Sequence, residues 1–562
     1  MKLTHRLLPL LLFLFATSTM AQVSEHLRHF ALEALKEKVR EGGDQPVVQA
    51  PAQKRMNTET GEGAEPFISQ SKFDPDLLSI SYMDNQTFTW KISISEDGGA
   101  SWTATNFNSR NLLNSVYPGQ IIRGGGDPIG VFDSNGKLHV LFIHLHVSAA
   151  NQNNQNAFIF ELFYTTSDDK GQTWVMHNSI ANGTFGSLDF VDRAWIDIDL
   201  QDNLYIAGVH FANSSIGDVG TIMWKKEATQ SDFTPLGITA IPAVVNAPQF
   251  ANLTMDANGV VHISASQISG TGNTPNDQVI YVRSNVGATS FGLPFSVATA
   301  NTFPSNKVVH DRENGAISSA VDGDNVYLAW TDFEGSIKSY YVYSNDGGAS
   351  FSSPVEIGVD FFGPDYYALM PVVAADDGHM AISWYKVDKT TQETEYVVAN
   401  SNDFGSTLEN VYSISDQLTD FSSTGTTFYG DYNSSTMKGD KVHMTWCDGR
   451  TGSPRVYYAC IDFSQAVSTP EVSPINGGLE LASIYPNPAL ENVSIALESQ
   501  KAQMLRVEVL HISGKSCFQQ TFSGKQGSNT FQLALDELLA GTYTVRVVST
   551  DNYTVTRRLI KL

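Results

Sequence analysis

Ser95-Glu96-Asp97-Gly98-Gly99-Ala100-Ser101-Trp102 is the stretch on which the fold turns, because it returns further along the chain. Ser167-Asp168-Asp169-Lys170-Gly171-Gln172-Thr173-Trp174 and Ser344-Asn345-Asp346-Gly347-Gly348-Ala349-Ser350-Phe351 share its form. Ser401-Asn402-Asp403-Phe404-Gly405-Ser406-Thr407-Leu408 loses only the closing aromatic, and Ser284 to Phe291 has Val286 where the Asp belongs. The pattern Ser-x-Asp-x-Gly-x-Ser/Thr-aromatic describes a self-contained hairpin turn. Its carboxylate accepts hydrogen bonds from its own backbone, its glycine takes a conformation other residues resist, and its aromatic packs the turn onto a sheet. Asp97, Asp169, Asp346 and Asp403 are therefore expected to fold the chain rather than to catalyse.

A second repeat carries the architecture. Asp- or Met-led turns precede alternating strands at positions 74, 133, 199, 256, 322, 376 and 437, separated by 59, 66, 57, 66, 54 and 61 residues. A steady run of short strands at such spacing predicts an all-β ring of four-stranded units. Seven turns predict seven units; a six-membered ring with one stray hairpin is the alternative. The first repeat resembles the Asp-box (bacterial neuraminidase) repeat of sialidase-like β-propellers, a family whose catalytic domain usually has six blades. The propeller is assigned to residues 64–464.

The two ends read differently. Residues 1–21 have the form of an export signal, with Lys2 and Arg6, an apolar run from Leu7 to Phe15, and Thr19-Met20-Ala21 before the cleavage site. Residues 22–63 read as a capped helix from Ser24 to Arg40 followed by a polar linker, the helix being either a pro-segment or packed on the domain. Residues 465–481 form a second linker rich in Ser, Pro and Gly. From 482 to 562 alternating strands predict a small β-sandwich. The opening Tyr485-Pro486-Asn487-Pro488, the strand Gly541-Thr542-Tyr543-Thr544-Val545 and the Lys561-bearing last strand resemble the type A C-terminal sorting domain of the type 9 secretion system. That resemblance implies the secretion machinery as a partner, passage across the outer membrane, removal of this domain, and a secreted or surface-attached product.

Composition narrows the function. Lys plus Arg minus Asp plus Glu is 35 − 59 = −24, which argues against nucleic acid or an anionic membrane as partner. Nothing after the export signal is apolar enough for a transmembrane segment. Cys447, Cys460 and Cys517 have no metal spacing and imply no disulfide framework.

Register then places a polar column at the ends of the second strands: Asp84, His144, His210, Gln267, Asp332, Lys386 and Asp448. Asp127, Arg193 and Asp431 stand at the mouths of inner strands, with Asp192 and Gln249 one position earlier. Polar groups converging from separate sheets form a binding funnel, and Tyr with Asp and Arg suits sugar recognition. His144 and His146 share a strand face and would ligate metal with His210, but no carboxylate spacing supports it, so hydrogen-bonded histidines, no metal and no cofactor are expected. The family resemblance implies an arginine clamp, a Tyr nucleophile with a Glu, and an Asp acid/base. Asp127 or Asp192, Arg193, Tyr429, Asp431 and Arg450 are the candidate catalytic set; Arg123, His144, His210, Asp332, Tyr432 and Asp448 are the candidate substrate-binding set. The first unit opens Ala64-Glu65-Pro66-Phe67-Ile68, without the arginine of the family's Arg-Ile-Pro-like motif. A glycan is the expected ligand, hydrolysed by a sialidase-like glycoside hydrolase or bound without turnover; a lyase is a third reading.

Overall fold

The Asp-led turns obey their residue types. Asp133 accepts from the N–H groups of Asn135 and Lys137, both at 2.9 Å. Asp199 does the same for Gln201 and Asn203, at 2.9 and 2.8 Å. Asp256 takes Asn258 and Val260, both at 2.8 Å. Such a turn needs no tertiary partner, so it fixes locally the register of the strands on either side.

The structure is a computed structural model. It describes residues 53–56, 62–84, 89–184, 186, 190–211, 220–242, 248–267, 277–302, 316–333, 335–420, 429–466, 479–485, 489–490, 492–499, 501–511, 516–535, 538, 541–549 and 554–561. The predicted export signal and the predicted helix Ser24–Arg40 lie outside the described residues. The chain divides into two units, 1–466 and 467–562.

The sheets of the first unit are all antiparallel. Among its described residues there are seven sheets, six of them built from consecutive strands. Their innermost strands are Gly63–Gln70, Gln120–Phe132, Phe190–Ile198, Pro248–Met255, Ser318–Asp322, Tyr366–Asp376 and Ser434–Lys438. Each packs on the next, and the last packs back on the first. The last sheet is Ser434–Lys438, Lys441–Asp448 and Arg455–Asp462, and its fourth strand is Gln53–Arg55. That strand pairs Gln53 with Ala459 and Arg55 with Tyr457, inside the stretch expected to be linker. Gln53-Lys54-Arg55 carries no alternation, so its pairing is set by a partner about four hundred residues away rather than by its own pattern. A two-turn helix, Ser109–Val116, was not expected either; Asn108 caps it by accepting from the Asn111 N–H at 3.0 Å, and Leu113 is buried.

The Ser-x-Asp-x-Gly turns close on themselves. Asp97 accepts from Ser95 Oγ at 2.8 Å, Ser101 N at 2.7 Å and Ser101 Oγ at 2.6 Å. Asp169, Asp346 and Asp403 make the same three bonds. The turn also reaches the preceding sheet. A Cβ on Gly99 would stand 1.8 Å from Tyr458 Oη and one on Gly348 2.0 Å from Tyr281 Oη, so only glycine lets the turn seat there. The closing aromatics follow, Trp102 on Tyr458 at 4.9 Å and Phe351 on Tyr281 at 5.0 Å. In the degenerate copy Asn285 takes over the missing Asp, accepting from Ser290 N at 2.8 Å.

The second unit has two sheets, of three and four strands, that share one core including Val493, Ile495, Val507, Val545 and Leu559.

Candidate functional site

Bulges at the start of the inner strands set the site. Register slips between Ala64 and Phe67, Gly126 and Ile129, Asp192 and Trp195, Gln249 and Asn252, and Leu369 and Val372. At four of these slips a non-glycine residue is left-handed: Glu65 at φ 52°, Asp127 at 53°, Arg193 at 52° and Met370 at 51°. Proline follows Glu65, Asp127 and Met370. It has no N–H to give a ladder and suits a bulge. Three successive sheets thus present Glu65, Asp127 and Arg193 from equivalent, strained positions of the kind that cluster at functional sites.

The last sheet completes the group. Asp431 N donates to Glu65 Oε1 at 3.3 Å, and Tyr432 Oη donates to Asp127 Oδ1 at 3.4 Å. Gly430, at φ 100°, leaves room for this approach: a Cβ there would fall 2.5 Å from Glu65 Cγ. The Tyr432 ring meets Trp195 at 5.5 Å, and Trp195 meets Phe67 at 5.4 Å. Burial, then the nearby carboxylates of Asp127, Glu65 and Asp431, push the Tyr432 phenol well above its ordinary pKa. The hydroxyl therefore stays protonated at neutral pH and acts as a donor, while the carboxylates beside it serve as acceptors or proton carriers.

The expected residues divide. Asp127, Asp431 and Tyr432 come together; Asp192 caps the bulge beside them, accepting from Arg193 N at 2.9 Å. Tyr429 is 1 % exposed, and its carbonyl accepts from Glu65 N at 3.5 Å. Arg450 is already engaged: it pairs with Asp448 of the last sheet at 2.5 Å and with Asp416, and its guanidinium lies 4.2 Å over the Tyr457 ring. Asp448 is buried and also accepts from Thr419 Oγ1 at 2.5 Å. Arg123 donates to the Gln152 carbonyl at 2.8 Å. Asp332 accepts from Asn301 N at 3.0 Å, and His210 is half-buried at its strand end.

His144 differs from its expected place at the mouth. It is wholly buried, bonded through Nδ1 to the Gly124 carbonyl and 4.6 Å from the Trp90 ring. Burial depresses its pKa to about 3, so it is neutral. His146 bonds Glu161 at 2.8 Å, and Tyr117 Oη donates to the same carboxylate at 2.9 Å. Among the described residues no group of three or more His, Cys, Asp or Glu is placed to hold a metal ion.

Glu65 is the residue the sequence reading passed over. Its signal was the Glu-Pro pair at the start of the first inner strand, in register with Asp127-Pro128 of the second.

No curated protein matches the chain in sequence. Among the solved structures that match part of the chain are three that illustrate the level of similarity. A Hadza microbial sialidase, Hz136, is 11% identical with a TM-score of 0.38, covering 69% of this chain and 74% of its own. A polysaccharide lyase of family PL25, an ulvan lyase, is 14% identical with a TM-score of 0.37, covering 62% and 81%. An α-L-arabinofuranosidase of family GH93 from Fusarium graminearum is 11% identical with a TM-score of 0.36, covering 60% and 92%. At these scores no site residue is carried from them to this chain. Among the described residues no helix is long and apolar enough to cross a membrane. Residues 483–562 match the family described as the secretion system C-terminal sorting domain, and by that signal the chain is exported to the cell surface or beyond it.

Proposed function

We propose that residues 53–462 form a closed seven-bladed propeller, followed by a C-terminal β-sandwich, and that the propeller binds and hydrolyses a glycan at the mouth defined by Glu65, Asp127, Asp431 and Tyr432. The cyclic packing of seven inner strands supports the ring. The observation that carries the site is the Tyr432 hydroxyl held at 3.4 Å from Asp127, a residue in a strained backbone conformation. A protonated phenol and paired carboxylates suit a sugar ring, whose hydroxyls both donate and accept, and carboxylate pairs supply the acid and base of glycosidic cleavage.

A sialic acid clamp finds less support. Of the candidate arginines Arg123, Arg193 and Arg450, Arg450 is neutralised by Asp448 and Asp416, and Arg123 is tied to a backbone carbonyl. That favours binding, or cleavage of glycans without a carboxylate. The test is a screen of the exported chain against sialyl and neutral aryl-glycosides and a glycan array, beside Asp127→Asn and Tyr432→Phe. Turnover of a neutral glycoside lost in Asp127→Asn supports the hydrolase. Binding without turnover, lost in Tyr432→Phe, supports a lectin-like propeller. Sialic acid release unaffected by either change refutes this site.

A further inference from the structure

We propose that Trp90, Ser81 and His144 are positioning residues that hold Asp127 in its left-handed conformation and so aim its carboxylate at Tyr432. The proposal rests on the reading of Asp127 as a member of the glycan site. Asp127 follows three glycines, Gly124-Gly125-Gly126, and precedes Pro128. Glycine backbone has the most freedom to lose, so that side of the residue cannot fix its own direction. A non-glycine residue at φ 53° also relaxes unless its surroundings determine it. The constraint must come from outside that segment.

Three buried side chains supply it. The carbonyls of Gly124, Gly126 and Pro128 alternate along the bulge, and each accepts a hydrogen bond from a side chain. His144 Nδ1 donates to Gly124, Trp90 Nε1 to Gly126 at 3.0 Å, and Ser81 Oγ to Pro128. Trp90 and Ser81 belong to the first sheet and His144 to the second, and none is more than 2 % exposed. Trp90 also meets the His144 ring edge-on at 4.6 Å. Gly125 lets the indole in, since a Cβ there would fall 2.5 Å from Trp90 Cη2. The backbone is thus pinned on both sides of Asp127, whose carboxylate has Tyr432 Oη at 3.4 Å. Pinning of this kind is the support that a preorganised site residue needs.

Trp90→Phe removes the N–H and keeps a ring; Ser81→Ala removes the hydroxyl. The comparison variant is Trp330→Phe: Trp330 is equally buried, at 1 %, and its Nε1 has no partner among the described residues, so only ring area is lost. The readout without ligand is amidation of half-buried Asp127 in the full chain by a water-soluble carbodiimide and glycine ethyl ester, followed by peptide mass spectrometry. A carboxylate freed from a donor takes up a proton more readily, and the protonated form is the one carbodiimide activates. Tyr432→Phe, which deletes that donor, sets the full effect. Trp90→Phe and Ser81→Ala should each speed amidation by about fivefold, as loss of one hydrogen bond implies, and Trp330→Phe should leave the rate unchanged. Where the glycoside screen finds turnover, both variants should lower kcat by about tenfold or more with KM within about twofold, the mark of misplacement rather than lost binding. Parental amidation rates in folded Trp90→Phe and Ser81→Ala chains overturn the proposal, as does equal acceleration in Trp330→Phe or an unchanged kcat. If Trp90→Phe does not fold, Ser81→Ala decides. Faster amidation without turnover of any glycoside supports the bracing and rejects the hydrolase, so the two failures are distinguishable.

Discussion

His443 should make the fold sensitive to mild acid. Its ring is fully buried; Nδ1 lies 2.8 Å from Tyr458 Oη, and Nε2 has no partner. A second proton would create an unpaired buried charge, so burial, with Lys441 adding to it, lowers the pKa from 6.5 to about 3. The unfolded chain takes up that proton below pH 6.5 and the folded chain does not. Stability is therefore fully present above pH 6.5, falls as the pH drops below it, and levels off near pH 3. Between pH 7 and pH 5 the loss from this one residue is about 2 kcal/mol, from the ratio of the two binding polynomials. Urea unfolding at both pH values, for the parent and for His443→Gln, isolates it. The variant should be less stable at pH 7 by about 1 kcal/mol for the altered hydrogen bond, yet lose about 2 kcal/mol less than the parent on going to pH 5. Equal losses in the two proteins, or an imidazole resonance of His443 titrating near pH 6.5 by NMR, would refute the reasoning.

Gly348→Ala should cost about 1–2 kcal/mol for the left-handed backbone and about 1 more for pushing Tyr281 off His262, bonded at 2.6 Å. Gly323→Ala, at φ 59° with open space around it, should show the backbone part alone in the same melting experiment. Hydrogen bonds from Thr173, side chain before backbone, hold the Asp169 pKa down to about 2 against an ordinary 3.8. Its contribution is present above pH 3.8 and is lost as the pH falls through 2, so the melting-temperature gap between parent and Asp169→Asn should shrink over that window. Arg450→Met leaves Asp448 buried without its cation and should lower stability by about 3–5 kcal/mol in chemical denaturation. A loss under 1 kcal/mol would mean the pair is not structural.

What the sequence made legible were the features whose hydrogen bonds close within a few residues. Asp133, Asp199 and Asp256 bind their own turns, and Asp97 and Asp346 bind theirs, so residue type alone announces them. Gln53–Arg55 was illegible because a short polar strand pairs by opportunity at a distant edge. Register could line up His144 with Asp332, but it could not tell that Trp90 covers the first while the second is half-exposed. Likewise the sequence offered Arg450 as a candidate catalytic residue without revealing that Asp448, two residues away, holds its guanidinium. Glu65 was read for what it lacked, an arginine, when its proline neighbour was marking a bulge.

The glycine turns also divide the junctions between neighbouring sheets into two sets. Gly99, Gly171, Gly348 and Gly405 each press on a side chain contributed from the preceding sheet, Tyr458, Thr105, Tyr281 and Tyr327 in turn. In the degenerate turn Gly287 has open space around it. The fastening between neighbouring sheets is therefore of two kinds. Four junctions are bolted in this way, whereas those entering the third, fourth and seventh sheets are tied by a carboxylate instead, Asp202 accepting from Ser134 N, Asp197 from Met255 N and Asp376 from Gly439 N, each at 2.8 Å. Torsion or shear on the exported protein would then be carried by side-chain packing under a glycine at four boundaries and by carboxylate hydrogen bonds at the other three.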